Sequence, residues 1–595
     1  MNTTAVTTTA ARRPDDTAPA GSPAYPPFGP VEALEAHLGD PHDERSVFSY
    51  AACAELDEAE RFPDDICAHL ERWGLHHHYV PVRYGGRLDS FEYALHLLRA
   101  VARRDLTVAV GHGKTFLGAV SAWVGADDAQ AREIAREVMA GTPISWGLTE
   151  RAHGSDLLAG EVRGTADGDA VAVSGEKWLI NNATRGRIAT VLTRTSPDGG
   201  PRGFDLYHVD KNELAEGAYT PLPKVRTLGI RGADISGIRY HDATVPVSRR
   251  VGAPGTGLET VLRGLQLTRT MCAGLALGGA EHALRIATGL LRDETASDEV
   301  RRTLVDAYAD HLCNEVVGTV AARCVHHVPG EMSVVSAVAK YLVPLRADAA
   351  IRSLGELLGL DAVTGEGPAA MFEKVARDNR IVDLFDGNRV VNLHAVVNQF
   401  PMLALTGARP LAWPEAEALF DVGRQSPDFD PRRLRLVAAK GVTVLRALSS
   451  AIARCEDAAE ADRRLRPVAE AARALGALAD AVAARMRELP PAPARVPVAH
   501  FALAERFALV FAGAAALQTW LANRAAASAG PDRAVWRDGA WLSVVLRRVL
   551  AALGDGGAGR DEDAEEVLLS RLVEQEADGY LFSLWSCRLA ERGRM

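Results

Sequence analysis

The sequence predicts an α+β protein that is mostly α. It has an N-terminal helical domain, a central β-barrel-like domain, a second helical bundle and an extra C-terminal helical domain. Three observations predict this. Apolar residues recur at helical spacing before residue 142 and again after 253. Between these regions, short β-type runs are separated by Gly, Asp, Asn and Pro. Beyond residue 433 the chain turns Ala-, Leu- and Arg-rich with helical patterning.

Residues 1–30 are Thr-, Ala- and Pro-rich and are expected to form a disordered leader. The N-terminal helical domain follows over 31–142. In FEYALHLLRAVARR, Phe91, Leu95, Leu98 and Ala102 mark one helical face, and VPVRYGG (80–86) is a Pro/Gly-bearing connection before it. The β-domain covers 143–252. There ADGDAVAV reads as a turn feeding a strand and RTSPDGGPRGFDLYHV as a hairpin. The second bundle covers 253–409 and opens with the long, Gly/Ala-rich run LETVLRGLQLTRTMCAGLALGGAEHALRIATGLL. Residues 410–433 are expected to form a linker and 434–595 the helical extension.

The 595 residues carry 67 Lys+Arg against 77 Asp+Glu, a net charge of −10. That balance argues against a dedicated nucleic-acid binder. Hydrophobic and charged fractions of 47% and 24% are those of a globular protein rather than a disordered or fibrous one. The first residues lack an apolar signal core, and no uninterrupted apolar run suggests a membrane span. Seven scattered cysteines without a C-x-x-C pair argue against a disulfide framework or zinc ribbon, and fit a reducing cytoplasm.

Several motifs fail on inspection. Gly111-His112-Gly113-Lys114-Thr115 lacks the first glycine of a phosphate loop, where Val108 stands, and is read as a helix-packing turn. His76, His77 and His78 are consecutive and diverge. Cys324, His326 and His327 lack a matching second half. Neither group predicts a metal site.

Two stretches carry more. GLTERAHGSD (147–156) and VSGEKWLINN (173–182) place hydroxyls and Gly-opened backbone at strand ends, which suits a heteroaromatic ring and a phosphate; a plain β-turn is the alternative. KVARDNRIVDLFDGNRVVNLHAV (374–396) interrupts an apolar run with Asp386-Gly387. A carboxylate in apolar surroundings has a raised pKa and suits a general base; a helix cap is the alternative.

In this order, over about 62–399, these segments resemble the acyl-CoA dehydrogenase flavoprotein family. GLHHHYVPVRYGG is similar to its early Gly-Gly turn. GLTERAHGSD and GEKWLINNA are similar to its two flavin motifs, and VPVSRRVGAPGTGLETV to the start of its second helical domain. RDNRIVDLFDGN resembles its Arg-Asp…Tyr-Glu-Gly-Thr segment.

The resemblance implies FAD held between the β-domain and the second bundle. Leu148 and Thr149 would face the flavin ring, and Gly154 and Ser155 would approach the pyrophosphate. Leu179 and Asn181 would lie beside the reactive ring edge. Asp386 falls on the catalytic glutamate, and Gly387 and Asn388 continue near the cofactor. Thr268 falls where other members carry an alternative base, before Arg269, so both are expected at the substrate.

The implied reaction is desaturation of an acyl thioester, on CoA or an acyl carrier protein, with a redox partner or O₂ as electron acceptor. The alternatives are a flavin-dependent oxidase or monooxygenase, and a non-redox cyclase or binding protein on the same fold. A cytoplasmic homodimer or homotetramer is expected. The extension is expected to pack across the dimer, to shape an entrance, or to form a solvated appendage.

Overall fold

The structure is a computed structural model. It describes residues 25–590, apart from 197, 199, 290–295, 365–368, 408, 490–495, 527–532 and 556–558. Most of the expected leader therefore lies outside the described residues. Its last part is not a leader at all. Tyr25 stacks on Trp585 with ring centroids 4.6 Å apart, and Phe28 opens the helix Phe28–Leu38 with its side chain in the core. Two large aromatics bury enough surface to hold the segment in place.

In the N-terminal domain the helices Phe91–Arg104 and Leu106–Gly125 are separated at Asp105. That residue is extended (φ −159°), and its carboxylate accepts the Val108 N–H at 2.9 Å. An N-cap aspartate both ends one helix and starts the next. The Gly111–Thr115 segment lies inside the second of these helices and is not a turn. Its neighbour Gly118 shows what glycine is for here: a Cβ there would stand 2.6 Å from the Ile144 oxygen, so the helix lies directly on the first strand.

The sheet has seven strands: β1 (Ile144–Gly147), β2 (Arg163–Asp167), β3 (Ala170–Asn181), β4 (Ile188–Arg194), β5 (Phe204–Asp210), β6 (Tyr219–Leu222) and β7 (Ile235–Pro246). Its order is β1-β4-β2-β3-β7-β6, with β5 added to β4. The β2–β3 and β4–β5 hairpins stand where the sequence places them. The long β3–β7 pair is antiparallel, with register shifts at Val173/Gly175 and Trp178/Ile180. The second shift sets Leu179 at φ +55° and turns it outward.

The second bundle is built on the helices Gly257–Thr288, Asp298–His327 and Met332–Leu358. The first crosses Phe91–Arg104 so closely that a Cβ at Gly274 would lie 2.6 Å from the Leu95 oxygen. The expected linker at 410–433 is instead a packed strap. It contains the helix Trp413–Phe420, and buried Arg323 donates to the carbonyls of Ala418, Leu419, Asp421 and Arg424. Arg323 also pairs with buried Glu92 at 3.2 Å, so one guanidinium ties the strap to the first domain.

The helices Arg466–Glu488, Val498–Asn523 and Ala540–Ala552 form a layer on this chain's own second bundle, not a solvated appendage. Val498–Asn523 is the one helix, among the described residues, long and apolar enough to cross a membrane; most of its apolar stretch is buried in this layer. The chain then returns to the first domain. Phe582, Leu584 and Trp585 are fully buried. Arg99, itself buried, donates to the Phe582 oxygen at 3.0 Å while pairing with Glu281 at 3.0 Å and Glu315 at 2.5 Å.

Candidate functional site

The end of β1 opens one wall of a cleft. Leu148 and Thr149 follow the strand half-buried, and the Thr149 carbonyl accepts the Trp178 N–H at 2.9 Å, which ties the motif to β3. The neighbouring Glu150 is structural. Its buried carboxylate pairs with Lys177 at 2.7 Å and accepts the N–H groups of Glu161 and Val162. Arg151 is exposed. It lies over the Trp178 ring at 4.4 Å and pairs with Glu176. Gly154 (φ +54°) and Ser155 form an exposed turn, with nothing within 4 Å of where a Gly154 Cβ would be.

Leu179 is 39% exposed, and with Leu148 and Thr149 it leaves an apolar strip open at the sheet end. Asn181 is buried. Its Nδ2 donates to the Val110 oxygen at 3.1 Å, and its Oδ1 has no partner. It thus locks the sheet to the Leu106–Gly125 helix while keeping one acceptor free.

Asp386 lies in the second bundle, on a left-handed turn (φ +55°, then +97° at Gly387). It is not a helix cap. Asn388 is the N-cap of the helix Arg389–Val397, and its Oδ1 accepts the Val391 N–H at 3.1 Å. That side-chain oxygen is therefore committed to the helix. Gly387 is bound through its carbonyl by Asn392 Nδ2 at 2.7 Å. Asp386 Oδ2 is buried without a hydrogen-bond partner.

The expected apolar surroundings of Asp386 are absent. Arg269 is buried beside it and donates from Nε to the Asp386 backbone oxygen at 2.9 Å. Lys340, on Met332–Leu358, is buried, with Nζ lacking any partner and lying 5.9 Å from the Phe385 ring centroid. Lys114 reaches the same carboxylate's field from the Leu106–Gly125 helix. Burial pulls both lysines below their ordinary range, and Asp386 opposes that shift. Burial likewise pushes the Cys272 thiol up to about 12, so it is neutral.

Thr268 is not brought to Asp386. Its hydroxyl turns back toward the Leu265 oxygen of its own helix, at 3.5 Å. The two lysines were missed by motif reading because they sit on different helices. The available signal was a lysine inside an otherwise apolar helix.

The histidine groups resolve as packing. His78 stacks on Trp73, and His76 bonds the Met139 oxygen at 3.2 Å. His326 accepts the Phe91 N–H at 2.9 Å and bonds the Pro427 oxygen at 2.8 Å. No metal-ligating cluster occurs among the described residues, and all seven cysteines are free and buried. A separate polar cavity of about 350 Å³ lies on another face of the Leu106–Gly125 helix, lined by Phe62, Glu71, His76, His112 and Arg185.

The residues present fit a flavin at its ring and pyrophosphate ends. The partly exposed Leu148 and Leu179 would meet the ring, Asn181 Oδ1 is an unpartnered buried acceptor, and the Gly154–Ser155 backbone would be open to a phosphate.

Comparison with known proteins gives the same assignment. Residues 145–243 match the acyl-CoA dehydrogenase middle domain and 255–399 the acyl-CoA dehydrogenase C-terminal domain. Probable acyl-CoA dehydrogenase FadE25 of Mycobacterium tuberculosis is 28% identical over 390 residues, 62% of this chain and 96% of that protein. Cyclohex-1-ene-1-carbonyl-CoA dehydrogenase of Geobacter metallireducens is 28% identical over 254 residues, 40% of this chain and 63% of that one. The fold of an acyl-CoA dehydrogenase from Bacillus anthracis, solved with FAD, superposes with a TM-score of 0.63 at 17% identity. It covers 92% of this chain and 90% of that one. The chain belongs to the acyl-CoA dehydrogenase flavoprotein family, as a divergent member with a C-terminal helical extension.

Proposed function

We propose that this chain desaturates an acyl thioester between its α and β carbons, with Asp386 as the base. One observation supports the role of Asp386 above the rest: a buried, unpartnered carboxylate oxygen on a turn pinned by Arg269. FAD, when bound, supplies the acceptor for the β hydrogen and its electron pair.

The chain's own residues do the rest. Asp386 takes the α proton. Its free Oδ2 is already desolvated, so no shell of water must be removed as the proton moves. Arg269 fixes the backbone that carries the acid, and a misplacement of ~1 Å can cost on the order of 10²-fold in rate. Leu148, Thr149 and Leu179 shape the ring wall, and Asn181 Nδ2 holds it to the helix behind. Asp is one methylene shorter than Glu. The left-handed turn at Asp386 is the local means of presenting the shorter acid.

The test is anaerobic mixing of FAD-loaded protein with a panel of CoA and carrier-protein thioesters, followed by the visible flavin absorbance. Bleaching is expected with at least one thioester. Asp386→Asn should slow it by about 10²–10⁴-fold. An Asn variant that bleaches as fast as the parent would remove Asp386 from this role. Peroxide release in air would favour the oxidase alternative.

A further inference from the structure

The chain carries a net charge of −10, yet residues 431–446 hold five basic residues, Arg432, Arg433, Arg435, Lys440 and Arg446, and no Asp or Glu. Arg432 is taken by Asp128 at 2.8 Å, and Arg446 donates to the Arg409 and Lys440 carbonyls. Asp430, just before the segment, directs Oδ1 to the Arg432 N–H at 3.2 Å. Arg433, Arg435 and Lys440 are exposed, and none of them has a carboxylate partner among the described residues. Between them Leu436 and Val437 stand 39% and 49% exposed. An apolar middle inside a charged rim is the arrangement of a protein interface.

The segment is held by its backbone. Leu434 and Ala438 are fully buried beneath it. Arg263 Nη2 donates to the Arg432 oxygen and Gln266 Nε2 to the Arg435 oxygen, each at 2.8 Å, and Gln399 Oε1 accepts the Ala438 N–H at 2.7 Å. Gln266 also sets where the patch lies. It stands three residues before Arg269 on Gly257–Thr288, on the same helix face. Arg269 in turn holds the Asp386 turn at 2.9 Å. The basic segment and the acid therefore hang from two anchors ~4.5 Å apart along one helix.

We propose that residues 431–440 are the docking surface of an acidic acyl carrier protein, which delivers the thioester to this site. This rests on the acyl-thioester reading above and names its partner. A carrier with an acidic face matches Arg433, Arg435 and Lys440 in charge, and such matching steers encounter and fixes orientation against an otherwise acidic chain. The phosphates of CoA would match the charges but would gain nothing from Leu436 and Val437, whereas a protein surface covers both kinds of side chain.

The test uses the FAD-loaded full chain. Calorimetry reads its binding to each acyl carrier protein encoded in the source genome, in phosphopantetheinylated form, and to CoA alone. At least one carrier should bind, and more weakly as salt rises from about 50 to about 500 mM. Arg433→Glu with Lys440→Glu should weaken that carrier by about tenfold or more, and Val437→Ser should weaken it too. Arg301→Glu with Arg302→Glu makes the same charge change at the start of Asp298–His327, the opposite end from His326, which bonds Pro427. That pair should leave carrier binding within about twofold of the parent. Equal weakening by the two double variants would reduce the effect to net charge and overturn the inference. Equal weakening of CoA and carrier by the 433/440 variant would assign the patch to phosphates and overturn it as well. So would loss of the chain's own self-association in that variant with carrier binding intact, which assigns the patch to a second copy. Failure of every carrier to bind the parent overturns it without any variant, and flavin bleaching by a CoA thioester would then leave the acyl-thioester reading in place.

Discussion

Arg269 Nε donates to the backbone oxygen of Asp386 at 2.9 Å, across 117 residues of sequence. The bond ties the middle of the 32-residue helix Gly257–Thr288 to a turn held at two successive positive φ values. A Cβ at Gly387 would lie 3.1 Å from both Arg269 Nη2 and Val391 Cγ1. Gly387→Ala should therefore destabilise by about 1–3 kcal/mol, read by chemical denaturation. It should also slow thioester bleaching, because the displaced acid sits one residue away. Unchanged stability would mean that the turn carries no strain.

Leu179 holds a left-handed backbone with a branched side chain that is 39% exposed. Leu179→Gly should stabilise the FAD-free protein by about 0.5–1 kcal/mol, since glycine adopts that conformation freely. It should weaken FAD binding in a fluorescence titration, because the ring wall loses its side chain. Tighter FAD binding in the variant would place the ring elsewhere.

Arg99 is paired with Glu281 and Glu315 and bonds the Phe582 carbonyl, all in the core. Arg99→Met leaves buried Glu315 without a cation and Glu281 with only Arg285 at 3.5 Å, and should cost about 3–5 kcal/mol. The segment 579–590 should then lose protection in hydrogen exchange before the helices do. Simultaneous loss everywhere would show that this segment is not separately anchored.

Burial raises the Glu331 carboxyl to about 7, opposed by the Thr443 backbone N–H and hydroxyl, each 2.7 Å away. The native state therefore holds a proton that the unfolded chain releases near pH 4.5. Between pH 4.5 and 7 the native form binds more protons, so this group's contribution to stability falls as pH rises. The fall should reach about 3 kcal/mol and level off above pH 7. In Glu331→Gln that part of the pH dependence should vanish, with the gain over the parent largest near pH 8. Equal slopes for the two proteins between pH 4.5 and 7 would contradict the raised value.

Much of the layer order is legible because local patterning specifies it. Helical spacing at Phe91, Leu95, Leu98 and Ala102 and the turn signals of the two hairpins are short-range features, and the observed elements follow them. Ordered motifs likewise pick out Thr149 just after β1, Leu179 near the end of β3 and Asp386 on a left-handed turn of the second bundle. What stays hidden depends on contacts between distant segments. The motif does not show that Asn388 caps the helix that follows it. Thr268 and Arg269 are adjacent in sequence but point to different partners, which only the helix phase decides. Lys340 acquires meaning only when its helix is seen to pack beside the turn that carries Phe385 and Asp386. Pro410 and Pro414 suggest a free linker, yet the need of Arg323 for carbonyl acceptors makes the strap part of the core.

Trp585 completes an aromatic cluster begun by Tyr25, and Arg99 reaches Phe582 across 483 residues of chain. The helix Phe91–Arg104 thus cannot complete its buried pairings until Phe582, 483 residues after Arg99, has been synthesised. Such long-separated pairing slows folding and leaves the nascent N-terminal half with exposed apolar surface meanwhile. The same seam acts as a late latch: once Trp585 is seated, opening either terminal segment means breaking into the centre of the molecule.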